Sequence, residues 1–159
     1  MRAVVFVFIV LISVAVVTPA GHAAEPRWGT AKTDAMVYKP AKALYDVVTG
    51  RPSSLANILD RLSMLQNLYG ADPFDASIVV VLHGSAIPVF AVKNTQKHEN
   101  LMVRAASLTQ SGVIQFRMCA ASAKMQGFAA KDVHGFVTMV PMADAEIVRL
   151  QHEGYAYMR

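Results

Sequence analysis

Apolar positions between residues 42 and 157 change their period repeatedly, and each change predicts an element. Ala43-Leu44-Tyr45-Asp46-Val47-Val48 reads as a first strand, closed by the turn Thr49-Gly50-Arg51-Pro52. Pro52 suits a helix start, and Ser53 or Ser54 can cap that helix. Leu55, Ile58, Leu59, Leu62, Leu65 and Leu68 recur at three- and four-residue spacing, the apolar stripe of a helix that Gly70 ends. Residues 77–82, Ser-Ile-Val-Val-Val-Leu, are continuously apolar after the serine, as in a strand covered on both faces. His83-Gly84-Ser85 ends that strand. Residues 86–92, broken by Pro88, read as a short helix or a turn.

A second helix is expected over about 95–110, with Leu101, Ala105 and Leu108 inward and Gly112 as its stop. Residues 113–119 predict a third strand, 120–126 a helix stopped by Gly127, and 136–140 a fourth strand ended by Pro141. Residues 143–152 predict a last helix with Ile147 and Leu150 inward, and 155–157 a short final strand. Strands and helices alternate, so the expected fold is α/β: a mostly parallel sheet of four or five strands with helices on both faces. Right-handed crossovers make a doubly wound layer the natural solution.

The first residues follow another pattern. Met1-Arg2 precedes an uncharged apolar run over residues 3–17, and Thr18-Pro19-Ala20-Gly21 breaks it. Small residues follow at Gly21, Ala23 and Ala24, the layout of a cleaved secretory signal. The run is shorter than the ~20 residues that span a bilayer. The alternative is an uncleaved anchor. The expected organisation is therefore a signal peptide over 1–24, an N-terminal arm over 25–40 and one α/β domain over 41–159. The product is expected to be periplasmic or otherwise exported, and off the membrane once cleaved.

Charge adds little. Loss of residues 1–24 removes one base, Arg2, and no acid, so the net charge goes from +4 to +3. The bases are scattered, with no block of the kind that marks nucleic-acid binding. Cys119 is the only cysteine, which excludes an intramolecular disulfide and leaves stability to the core. His98, His134 and His152 lack close metal-ligand spacing, and there is neither a Gly-x-Ser-x-Gly elbow nor a Gly-rich phosphate loop. No metal and no cofactor are expected.

In an open parallel sheet, ligands bind beyond the carboxyl ends of the strands. Asp46, His83 and Cys119 fall late in, or just after, the first three strands. Cys119 is followed at once by a helical segment, whose free N–H groups and partial positive charge favour thiolate, the nucleophilic form. Arg117, two residues earlier, can project to the same side and add positive charge, or be solvated. Ser122 can hydrogen-bond the sulfur. His83 can orient a ligand or support the thiolate, with Gly84 forming the turn; equally, its ring can bond locally. Asp46 can serve a backbone group near the Gly50 turn. Against the reactive reading, Cys119 can be a small buried apolar residue.

Four segments in order resemble the DsrE/DsrF-like family of sulfur-relay proteins. They are Tyr45-Asp46-Val47 leading through the glycine–proline turn into the leucine-rich helix, Val79-Val80-Val81-Leu82-His83-Gly84, Phe116-Arg117-Met118-Cys119 with its small-residue helix, and the stretch from Val140-Pro141 to Arg149-Leu150-Gln151-His152-Glu153-Gly154-Tyr155-Ala156-Tyr157. The resemblance implies a flavodoxin-like, three-layer fold and a tendency to form homo- or hetero-oligomers. It also implies a cysteine after the central strand that carries persulfide sulfur to a partner protein, and Cys119 falls at that position. The relay members act in the cytoplasm, so an exported member needs another sulfur donor or acceptor. The expected function is an exported sulfur-handling protein with Cys119 as persulfide carrier. The alternative is a non-catalytic small-ligand-binding or complex-assembly module. A thiol redox partner is a third reading, weakened by the lack of a resolving cysteine.

Overall fold

The structure, a computed structural model, describes residues 27–159. The signal reading of residues 1–24 lies outside them. The chain divides into residues 1–36 and 37–159. In the first unit, residues 27–36 are exposed and form one turn, at Arg27 and Trp28, with no helix or strand.

The second unit alternates strand and helix throughout: β1 Ala41–Val47, α1 Pro52–Leu68, β2 Ala76–Leu82, α2 Thr95–Leu108, β3 Ile114–Cys119, α3 Ala120–Met125, β4 Val137–Val140, α4 Ala143–His152 and β5 Ala156–Met158. The five strands form one sheet in the order β4-β3-β2-β1-β5, and every pairing is parallel. The chain steps one way across the sheet from β1 to β4, then crosses the whole sheet to place β5 beside β1.

This topology separates the faces. Ala43, Tyr45 and Val47 of β1, Ile78, Val80 and Leu82 of β2, and Ile114, Phe116 and Met118 of β3 point to one side. There they meet Leu55, Leu59 and Leu62 of α1, Met102 and Ala105 of α2, and Ala123 of α3. Phe90, Phe116 and Phe136 form an aromatic cluster in this core, with centroids 5.7 to 6.3 Å apart. The alternate residues Leu44, Val79, Val81 and Cys119 point to the other side, where among the described residues they pack against Ala143 and Leu150 of α4, with Ile147 and Tyr155 beside them.

Some expected bounds shift. β1 begins two residues early, because Ala41 and Lys42 pair with Ala76 and Ser77. It also ends at Val47, and the Val48 carbonyl instead accepts from the Ala86 N–H at 3.0 Å. Residues 86–92 resolve into a 3₁₀ segment, Gly84–Phe90, that buries Ala86, Ile87, Val89 and Phe90 around Pro88, and a second short one, Val92–Asn94. The final strand starts one residue late. Tyr155 closes α4 through its N–H to Leu150 at 3.0 Å, and its hydroxyl bonds Ser77 Oγ at 2.7 Å.

Candidate functional site at the carboxyl edge of the sheet

The chain leaving β3 goes to the face covered by α1 and α2, whereas the chain leaving the adjacent β4 goes to the opposite face. Neighbouring exits diverge here, and α/β proteins place ligand chemistry at such points. Cys119 is the last residue of β3, paired with Val140 of β4. Just beyond, the Ala121 N–H donates to the Pro141 carbonyl at 3.2 Å and ties the two exits together.

Cys119 occupies the N-cap position of α3 in an extended conformation, φ −64° and ψ 110°. Its Sγ accepts the Ser122 N–H at 3.3 Å. The sulfur thus fills the role that Ser or Asp fills at other helix starts. The residue is only 4% exposed and packs in the smaller core with Leu44, Val79 and Val81.

Register brings the other predicted residues to the same edge. Leu82 pairs with Met118, and the extended backbone continues to His83, whose N–H donates to the Val47 carbonyl at 3.1 Å. His83 is therefore level with Cys119 on the adjacent strand and on the same face, with strands ~4.8 Å apart. His83 Nε2 lies 2.7 Å from Asp46 Oδ1, and both side chains are about one-fifth exposed, at 24% and 18%. The Tyr157 hydroxyl donates to the other oxygen of Asp46. Tyr157, Asp46, His83 and Cys119 thus run diagonally across β5, β1, β2 and β3. No hydrogen bond among the described residues joins His83 to Cys119, and His83 Nδ1 has no partner among them. The Tyr157 phenol is held above its ordinary pKa, first by the Asp46 hydrogen bond and then by burial.

Ser122 contributes differently from expectation. Its N–H meets the sulfur, while its hydroxyl accepts the Gly84 N–H at 3.2 Å. Gln126 Nε2 donates to the Gly84 carbonyl at 2.9 Å, so α3 grips the β2 exit at both groups of one glycine. Gly84 has φ +56°, and a Cβ there would meet Val48 Cγ1 at 2.8 Å; glycine is required on both counts.

Arg117 points to the α4 face, as its spacing from Cys119 implies, but it is engaged. It bonds Gln115 Oε1 at 2.9 Å and pairs with Glu146 of α4. Glu146 is 7% exposed and takes two further bonds from Arg149, at 2.7 and 2.9 Å. The Arg149 hydrogen bond foremost, with Arg117 adding to it, outweighs the burial cost and brings the Glu146 carboxyl down to about 2. This network pins α4 to β3 beside the cysteine.

Sequence reasoning missed Glu146 and Tyr157 as parts of this edge. The Glu146-x-x-Arg149-x-x-x-Glu153 spacing signals a charged helix stripe, yet only the fold shows that Arg117 buries its first member. Asp46, read as a turn-capping residue, instead links His83 to Tyr157. Among the described residues, no group of three or more His, Cys, Asp or Glu is placed to hold a metal, and no helix is long and apolar enough to cross a membrane.

Comparison with known proteins agrees with this architecture. Residues 42–159 match the profile of the DsrE/DsrF-like family. The fold is similar to that of the protein of unknown function MTH1491 from Methanobacterium thermoautotrophicum, at 20% identity and a TM-score of 0.57, covering 75% of this chain and 98% of that one. It is also similar to the conserved protein of unknown function BT1422 from Bacteroides thetaiotaomicron, at 16% identity and a TM-score of 0.54, covering 74% and 92%. No curated protein matches the chain.

Proposed function

We propose that this chain, which belongs to the DsrE/DsrF-like family, is an exported sulfur-handling protein in which Cys119 accepts a sulfane sulfur and passes it on. The carrying observation is the position of the only cysteine: at the sheet edge where the β3 and β4 exits diverge, with its sulfur accepting the first-turn N–H of Ser122. The thiolate is the form needed for attack.

The chemistry needs no outside oxidant. The Cys119 thiolate attacks the outer sulfur of a donor persulfide. The donor S–S bond breaks, the donor leaves as thiolate, and Cys119 carries the persulfide. A nucleophile on an acceptor then takes the outer sulfur and returns Cys119 to thiolate. His83, level with Cys119 and oriented by Asp46, is the nearest imidazole on that face to take the thiol proton. At 4% exposure the sulfur meets a donor only when its cover moves, and α4 is the element that must shift. Donor and acceptor are expected to be proteins, and assembly into oligomers fits the family.

Intact mass after exposure to a sulfane donor tests the reading. Gain of one sulfur, removed by reductant and absent in Cys119→Ser, is expected. No reducible adduct would remove it.

The burial of Cys119 favours a second reading, a ligand-binding or assembly module in which the thiol is structural. That reading predicts a thiol alkylated only upon unfolding.

A further inference from the structure

A separate cleft, independent of Cys119, lies where the β1–α1 loop faces the start of α2. Its volume is about 490 Å³, within the range of small-molecule sites. A second groove of about 340 Å³ adjoins it, sharing Pro52, Lys97 and His98.

The floor is a built clasp. Gly50 N–H donates to Ser85 Oγ at 2.9 Å, and the Ser85 hydroxyl donates to the Val48 carbonyl at 2.8 Å. A Cβ on Gly50 would lie 2.2 Å from the Ser85 carbonyl oxygen, so only glycine allows this approach. Asn94 is fixed by its Nδ2 bond to the Pro88 carbonyl at 2.7 Å. The walls are therefore set before any ligand arrives.

The lining is one-signed. Arg51, Lys97 and His98 all border the first cleft, and no Asp or Glu among the described residues does; Glu99 enters only in the adjoining groove. Some bases elsewhere in the domain are paired, Arg104 with Asp60 and Arg149 with Glu146 and Glu153, while exposed Lys124 and Lys131 are not. The side chains of Arg51, Lys97 and His98 make no hydrogen bond or ion pair with any described residue. Burial and then the neighbouring Lys97 hold His98 below its ordinary pKa, so it serves as a neutral donor; Arg51 and Lys97 carry the positive charge of the cleft, which an anion would balance. The α1 N-terminus opens beside them and adds potential of the same sign, having no side-chain cap and no acidic residue in its first turn.

The geometry points to a binding site for a small molecule bearing a tetrahedral oxyanion, phosphate or sulfo, with Arg51 and Lys97 on the anion and the organic part lying along the groove toward Asn100 and Leu101. Arg51 supplies a planar fork and Lys97 a point charge, the pair commonly used on such groups.

Amide chemical shifts of the purified protein, followed during titration with inorganic phosphate and separately with adenosine monophosphate, test the site. Saturable shifts confined to residues 50–54 and 94–98 are expected with at least one probe, at millimolar or lower concentration. Tighter binding of the nucleotide would place the organic part in the groove; equal binding would mean that the anion alone is read. Both outcomes keep the oxyanion site. The double variant Arg51→Gln, Lys97→Gln should weaken binding about tenfold or more, while Lys131→Gln leaves it unchanged. Absence of saturable shifts for both probes, or undiminished binding by the double variant, would overturn the assignment.

Discussion

The face of the sheet under α1, α2 and α3 buries Phe90, Phe116, Leu62 and Ile87 among two dozen apolar residues, whereas the face under α4 buries six, one of them Cys119. The larger face is closed by aliphatic and aromatic packing. Among the described residues the smaller is closed by one helix, held at its first turn by the carboxylate of Glu146 between two arginines. Burial of apolar area scales with stability, so the first face holds the fold together. The second face has less to lose when its cover moves. The proposed sulfur chemistry requires that α4 uncover Cys119 without unfolding the domain.

The largest way to sharpen this contrast is Phe116→Ala. It removes the centre of the aromatic cluster and should cost about 3–5 kcal/mol in denaturant unfolding, with α1, α2 and α4 melting together. Glu146→Ala attacks the other face. It leaves Arg117 and Arg149 facing each other, but Arg149 is 43% exposed and Arg117 keeps Gln115, so about 2 kcal/mol is expected. Its signature should be faster amide exchange in α4 and little change in α1. A loss spread evenly over both faces would break the comparison.

Acid should act on the same pair. The folded Glu146 carboxyl titrates at about 2, below its ordinary 4.5, so its contribution is whole above pH 4.5 and disappears as pH falls toward 2. It amounts to no more than roughly 3 kcal/mol. Unfolding free energy measured against pH should fall more steeply over that window for the wild type than for Glu146→Gln. Parallel curves would contradict the assignment.

The smallest effect is expected from Asp46→Asn. It should cost under about 1 kcal/mol, since both its partners are partly solvated. The Tyr157 phenol should titrate lower, toward its ordinary value, because the carboxylate that raises it is gone. Spectroscopic titration with Tyr157→Phe as the reference checks this.

Most of the architecture was legible in the chain. The continuous apolar run of β2, the three-four leucine spacing of α1 and the glycine stops at 70, 112 and 127 each carry local signals. Strand order carries none: nothing local says that β5 returns beside β1 and sends α4 to the far face. That long crossing is what turns Arg117 onto Glu146 and brings Tyr157 to Asp46. Cys119, His83 and Asp46 were found because strand ends can be read from period alone. Their mutual placement depends on register, which places His83 level with Cys119 yet leaves them unbonded. Ser122 shows the same limit: its nearness to the sulfur was readable, but the exchange of roles between its N–H and its hydroxyl was not.

The alkylation rate of native Cys119, compared with the global unfolding rate from amide exchange of β2 under the same conditions, tests the sulfur-carrying account most directly. The account predicts modification well faster than global unfolding, and faster still in Glu146→Ala. Modification no faster than unfolding, unchanged by that substitution, would make the thiol a structural residue and contradict it.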